Sequence, residues 1–165
     1  MADNREAFLA MIAVSELGRP LIELSDRGYD VIVGSTPEKP LLFPRGPGGG
    51  PDYRKHPNRL VTLWIKGKRV DSTAAGRYQI LHRYATHYQK QLGLPDFGPA
   101  SQDTIALQLL RETGALDLID RGNFEEAVRA SRSRWASLPG AGYGQHENKL
   151  PALRDAYLAA GGDLG

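Results

Sequence analysis

The sequence predicts a helix-rich α+β fold, and three observations carry that expectation. Helical apolar patterns outnumber strand patterns along the 165 residues. The two β-branched runs, YDVIV at 29–33 and LVTLWI at 60–65, are short and suit one small antiparallel sheet in which they pair. A hydrophobic content of 41% with 24% charged residues is ordinary for a globular chain, and the length suffices to bury a sizeable core as one domain, 1–165.

Each element follows from local signals. Asp3 and Glu6 have the D-x-x-E form of a capping box, so a first helix begins near Asn4. Phe8, Met11, Ile12 and Ser15 line one face of it, and Gly18 with Pro20 supplies a stop. The mixed segment Arg19 to Arg27 reads as loop, and Gly34 ends the first strand. Pro37, Pro40, Pro44, Pro47, Pro51 and Pro57 all fall within 35–58, around the dense GPGGGP at 46–51. That stretch reads as a surface insertion within a β-region of about 28–70. KGK at 66–68 offers a turn after the second strand.

The remainder is helical. A run from Ser72 and Thr73 keeps Tyr78, Leu81, Ala85 and Tyr88 in helical spacing and stops at Gly93. Ser101 is an N-cap candidate for a helix ending at Gly114, and ALDLIDRG forms a short one. Asn123 and Glu126 open a further helix expected to reach Pro139, GAGYGQ makes a glycine-rich turn, and a last helix covers about Glu147 to Ala160. Trp135 is expected in the core, Trp64 in the core or at a cleft wall.

Composition removes several classes of function. With no cysteine there are no disulfides, thiol nucleophiles or thiolate metal sites. His82 and His87 are five apart, on different faces of a helix, and His56 and His146 fall in loops, so no metal site is expected and the histidines read as surface or partly packed. G-x-S-x-G is absent, and GPGGGP lacks the lysine of a phosphate loop. A net charge of +2 is mild, and no basic-aromatic motif marks nucleic-acid binding. Asp3 and Glu6 lie where a signal peptide would carry positive charge, and no stretch approaches a membrane span.

Glu16 stands out. It occupies the last turn of the first helix beside the apolar face, where the helix dipole and partial burial both disfavour its charge. Both push its pKa toward the range of a proton donor near neutral pH, as a glycosidic acid requires. A solvated glutamate at a frayed helix end is the commoner outcome for such a position. Asp30, fourteen residues on, is the second carboxylate of interest.

Several runs sharpen this reading: Ser15-Glu16, GYDVIVG at 28–34, His56-Pro57 with LVTL at 60–63, GRYQ at 76–79, KQLGL at 90–94, SQD at 101–103, IDRG at 119–122 and WASLPGAGYGQ at 135–145. In collinear order they resemble the phage lambda-type endolysins, a family of peptidoglycan lytic transglycosylases. The resemblance implies a lysozyme-like fold, a mostly helical lobe and a small antiparallel β-lobe with a saccharide cleft between them. It also implies that Glu16 is the catalytic acid and base, breaking the bond between N-acetylmuramic acid and N-acetylglucosamine to leave a 1,6-anhydro sugar.

Within that resemblance Asp30 is a supporting carboxylate or a structural hydrogen-bond acceptor. Gln79 would present its amide to the sugar, or face solvent at a helix start. Tyr143 and Gln145 sit on a glycine-rich turn where backbone can approach a ligand, with packing under the turn as the other fate of Tyr143. Thr62 and Tyr78 join the substrate-binding candidates, Tyr78 reading more readily as core. No cofactor is implied. The expected partner is the glycan strand of peptidoglycan, met by a monomer that waits in the host cytoplasm for a holin-type membrane lesion and neither inserts in membranes nor binds nucleic acid. A hydrolytic muramidase using Asp30 to aid a water, and a non-catalytic wall-binding protein, are the alternatives. Two departures from the family pattern are Val14 and Leu17 in place of tryptophan and glycine around Ser-Glu, and a longer loop between Ser35 and Lys55.

Overall fold

The computed structural model describes residues 3–165. The chain forms two compact units, one from the residues up to Glu16 together with Ala106–Gly165, the other from Leu17–Ile105. Among the described residues there are seven helices and one two-stranded antiparallel sheet, an α+β arrangement.

The first unit is helical. It contains nearly all of α1 (Asn4–Leu17), the second half of α4 (Pro99–Glu112), then α5 (Ala115–Asp120), α6 (Phe124–Ser131) and α7 (Leu150–Ala159). Asp3 caps α1 as its sequence foretells, Oδ1 accepting the N–H groups of Arg5 at 3.0 Å and Glu6 at 3.2 Å. Phe8 of α1, Phe124 of α6 and Tyr157 of α7 form the aromatic centre, with Phe124 and Tyr157 stacked at 4.8 Å and Phe8 edge-on to both. Trp135 is buried here, as expected.

Two helices of this unit are shorter than their patterns suggest. α6 stops at Ser131, not near Pro139, because the Ser131 hydroxyl turns back to the Ala127 carbonyl at 2.7 Å and the following turns carry Trp135 into the core. α7 begins at Leu150, not Glu147, because Pro151 lacks the N–H that any position beyond the first turn must donate.

The second unit contains α2 (Arg19–Leu24), the strands β1 (Val61–Ile65) and β2 (Lys68–Ser72), α3 (His82–Leu92) and the first turns of α4. Several sequence expectations are corrected in it. Arg19–Leu24 is a helix, not a loop, since Pro20 stands in its first turn, where proline starts a helix as readily as it ends the previous one. YDVIV is not a strand of the sheet. It is a buried thread held on both sides by single bridges, Val31 to Leu42 and Ile32 to Ala75, with Gly28 and Gly34 at positive φ turning the chain at each end. LVTLWI pairs instead with its immediate successor. Lys66 (φ 51°) and Gly67 (φ 74°) make the two-residue turn whose twist suits a hairpin, so Leu63 faces Val70 and Trp64 faces Arg69. Local closure beats a partner thirty residues away.

The helical run after Ser72 starts only at His82. Gly76 (φ 84°) and Gln79 (φ 50°) bend 75–80 into a tight loop closed by the Ala75–Ile80 bridge. Gly93 ends α3 in the left-handed conformation, as expected. Ser101 lies inside α4, which starts at Pro99. Asp96 precedes that start and accepts from Gly98 N–H at 2.9 Å and the Ser101 hydroxyl at 2.7 Å. Buried Gln102 ties this unit together, its Nε2 donating to the Tyr29 and Phe97 carbonyls and its Oε1 accepting from Arg77 N–H. A Cβ at Gly76 would overlap that amide.

The Gly/Pro-rich stretch is exposed at 47–50, yet it sends Phe43 into the core against Phe97. His56, expected at the surface or partly packed, is buried. Its Nε2–H donates to the Ile80 carbonyl and its Nδ1 accepts from Asn58 N–H, and burial lowers its pKa to about 4. Trp64, expected in a core or wall, is 73% exposed because its register puts it on the outward face of the hairpin.

Candidate active site

Glu16 lies in the last turn of α1, half-buried, on the residue after the buried Ser15. The loop following α6 brings Ser137 to it. Ser137 Oγ–H donates to Glu16 Oε1 at 2.6 Å, and the Ser137 backbone N–H also bonds the carboxylate. Burial raises the Glu16 pKa to about 7, and the two Ser137 bonds oppose the rise without cancelling it. The result is a carboxyl group that holds its proton near neutral pH and keeps one oxygen in a fixed hydrogen bond.

More polar groups support this pair. Ser15 Oγ lies 2.8 Å from Ser137 Oγ. Asn148, just before α7, donates from Nδ2 to the Ser15 carbonyl at 2.9 Å and to Ser15 Oγ at 3.1 Å, while its backbone N–H bonds the Ser137 carbonyl at 2.8 Å. None of these three residues is a candidate in the sequence reading. Ser15 and Ser137 stand inside runs quoted for the family resemblance, which is the one signal that could have found them. Asn148 has none, being 133 positions from Ser15.

The rest of WASLPGAGYGQ is a braced turn in the same unit. Glu147 accepts N–H bonds from Gly140 at 2.9 Å and Gly142 at 3.0 Å, and Tyr143 donates its hydroxyl to the Ser133 carbonyl at 2.8 Å. The Tyr143 ring is 55% exposed and Gln145 is exposed, so Tyr143 is not packed beneath the turn.

The remaining candidates belong to the second unit. Asp30 is 2% exposed and its Oδ1 accepts the Asp26 N–H at 2.9 Å, the arrangement of a turn brace. Tyr78 is core. Its ring is buried, and it shares Asp103 Oδ1 with Tyr29 through hydroxyls at 2.5 Å and 2.9 Å. Burial and the Asp103 charge hold both phenols protonated far above neutral pH. Gln79 is neither at a helix start nor facing solvent. It donates Nε2 to the Gly76 and Val31 carbonyls, which leaves Oε1 as its available group. Thr62 is exposed on β1 and donates to its cross-strand partner Asp71 at 2.7 Å. Among the described residues, no group of three His, Asp or Glu side chains is arranged to hold a metal ion.

The Endolysin family model matches residues 6–164. The chain belongs to the endolysin family. Its relatives include the endolysin of Escherichia phage lambda, 47% identical over 165 residues that cover 98% of this chain and 94% of that one. The endolysin of Escherichia phage P2 is 48% identical over 164 residues, 96% of this chain and 93% of the relative. Among solved endolysin structures, lambda lysozyme complexed with a chitohexasaccharide superposes with a TM-score of 0.84 at 46% identity, covering 100% of this chain and 98% of that one. Lambda lysozyme alone gives a TM-score of 0.80 at the same identity and coverage. The lysozyme-like fold expected of an endolysin is therefore present.

Proposed function

We propose that this endolysin lyses bacterial cells by cleaving the β-1,4 bond between N-acetylmuramic acid and N-acetylglucosamine in peptidoglycan, without water, as a lytic transglycosylase. Glu16 gives its proton to the bridging oxygen as the C1–O bond breaks, leaving a free 4-hydroxyl on N-acetylglucosamine. The muramoyl C6 oxygen attacks C1 and passes its proton to the Glu16 carboxylate, which restores the acid and yields the 1,6-anhydro end. One carboxyl group serves both steps. The observation that carries the reading is Glu16 itself: half-buried, protonated up to about pH 7 and held by Ser137.

The supporting cast is proposed from the same resemblance. Tyr143, Gln145, Gln79 and Thr62 contact the glycan, Gln79 through its acceptor oxygen. A chitohexasaccharide, the ligand of the lambda lysozyme complex, is a chain of N-acetylglucosamine and so resembles half of the peptidoglycan repeat. A hydrolytic muramidase needs a second carboxylate or another base to activate a water. Asp30 serves that need poorly while buried and bonded to Asp26. From the same resemblance we assign the chain a single catalytic domain that reaches the wall as a monomer through a holin-type lesion; among the described residues no helix is long and apolar enough to cross a membrane.

The test is mass spectrometry of muropeptides released from purified sacculi. Anhydro-muramic ends without new reducing ends are expected, and stoichiometric reducing N-acetylmuramic acid would replace this reading with the hydrolytic one.

A further inference from the structure

We infer that Asn148, Ser15 and Ser137 form a one-way hydrogen-bond chain that dictates which oxygen of Glu16 carries the transferable proton, making Ser15 and Asn148 positioning residues of the endolysin. The inference rests on the reading of Glu16 as the acid.

The direction follows from what each atom can donate. Asn148 Nδ2 is 2.9 Å from the Ser15 backbone carbonyl, which only accepts, so the amide nitrogen and not its oxygen must face Ser15. The same nitrogen donates to Ser15 Oγ at 3.1 Å and can accept nothing in return. At the other end, the Glu16 carboxylate in its ionised form only accepts, so the single Ser137 hydroxyl hydrogen goes to Oε1 at 2.6 Å. The 2.8 Å contact between the two serines, ambiguous by distance alone, is thereby settled: Ser15 donates and Ser137 accepts. The Asn148 N–H to Ser137 carbonyl bond keeps both ends of the chain in register.

When Glu16 takes up its proton, Oε1 already faces a hydrogen. In a protonated carboxyl group the carbonyl oxygen is the stronger acceptor, so the oxygen that already takes the Ser137 hydrogen, Oε1, stays the carbonyl oxygen. The proton therefore rides on Oε2, the oxygen that the Ser137 hydroxyl does not bond. A side chain that holds its acid hydrogen on one defined oxygen needs no rotamer search before transfer.

The charged groups of the surrounding elements leave this arrangement alone. Burial and the two Ser137 bonds account for the raised proton affinity of Glu16, with no ionised neighbour among its causes. Glu147 is engaged with Gly140 and Gly142, and Arg134 pairs with Glu112. Arg132, His146 and Lys149 are exposed, and the charged residues of α1, Arg5 and Glu6, stand at its opposite end.

The test compares Ser15→Ala, Ser15→Thr and Asn148→Asp with Glu16→Gln and the parent chain. It follows kcat and KM on solubilised glycan strands from pH 4 to 9, with melting temperatures as the check on folding. Ser15→Ala removes the hydrogen donated to Ser137, and Asn148→Asp replaces the terminal donor by an acceptor. Each is expected to lower kcat about tenfold with KM unchanged. The alkaline limb should also move up by about half a pH unit as donation to the carboxylate weakens. Ser15→Thr, which keeps the hydroxyl, should stay within about twofold of the parent. If Asn148→Asp does not fold, Ser15→Ala against Ser15→Thr carries the comparison. Parental kcat and an unmoved limb in a folded Ser15→Ala, beside an inactive Glu16→Gln, would overturn the chain while leaving the acid in place. A fully active Glu16→Gln would overturn both.

Discussion

Ser137 gives its hydroxyl hydrogen to Glu16 Oε1 at 2.6 Å, although 121 positions separate the two in the chain. The contact stabilises the carboxylate, yet burial still lifts the pKa to about 7. The group is thus poised between its two forms at the pH where an acid that must later act as a base works best. The pH dependence of activity follows: the rate is expected to fall about tenfold per pH unit above pH 7, where the acid form is lost. A rate that stays level to pH 9 on intact sacculi would assign proton transfer elsewhere.

Glu16→Gln is expected to lower lysis by a factor of about 10² to 10⁴ while leaving the circular dichroism spectrum unchanged. The same variant should be the more stable protein at alkaline pH. An acid whose folded pKa lies at about 7 against an ordinary 4.5 binds more protons when native, so stability declines as pH rises through that window. At pH 8 the glutamine variant should gain up to roughly 3 kcal/mol over the parent, and at pH 4 nothing. Urea titrations at the two pH values measure the difference.

His56 produces the opposite slope. Its pKa of about 4 in the folded chain, against an ordinary 6.5, means the unfolded chain binds more protons, so its contribution is full above pH 6.5 and is lost as pH falls through 4. Over pH 4.5–6.5 the two slopes nearly cancel in the parent chain. His56→Gln should unmask the Glu16 slope and Glu16→Gln the His56 slope, each worth about 1.4 kcal/mol per pH unit at its steepest. Equal pH dependence in all three proteins would mean that one of these groups is more solvated than its burial implies.

Gln102 satisfies three backbone groups, from Tyr29, Arg77 and Phe97, inside the second unit. Gln102→Leu keeps the volume and abandons all three, so it should cost about 3 kcal/mol or more, read as a lowered urea midpoint. A variant within about 0.5 kcal/mol of the parent would show that water replaces the amide.

The two tryptophans should respond very differently to truncation. Trp135→Ala opens a cavity and should cost about 3–5 kcal/mol. Trp64→Ser, on the outward face of the hairpin, should change stability by less than about 0.5 kcal/mol. A large loss at Trp64 would contradict its 73% exposure.

Sequence pattern and final structure part company where a residue's neighbours are distant. The cap at Asp3, the stop at Gly93 and the short helix at Ala115–Asp120 were legible because each depends on groups within one helical turn. YDVIV reads as a strand because its β-branched composition reports burial, while its bridges to Leu42 and Ala75 are made by loops. The loop at 75–80 was hidden for a similar reason: Tyr78, Leu81, Ala85 and Tyr88 keep a helical rhythm, and only the positive φ at Gly76 and Gln79 breaks it.

By itself, the sequence determined the α+β composition, the place of a glutamate at the failing end of an apolar helix, and the runs by which the chain resembles the endolysins. Those properties follow from helical spacing, capping chemistry and residue identity, which act over a few positions. Only the tertiary structure decided that Ser137 bonds Glu16 and Asn148 bonds Ser15, that Asp30 braces a turn and that Tyr78 spends its hydroxyl on Asp103. A hydrogen bond recognises distance and direction in space, and chain separation carries no record of either.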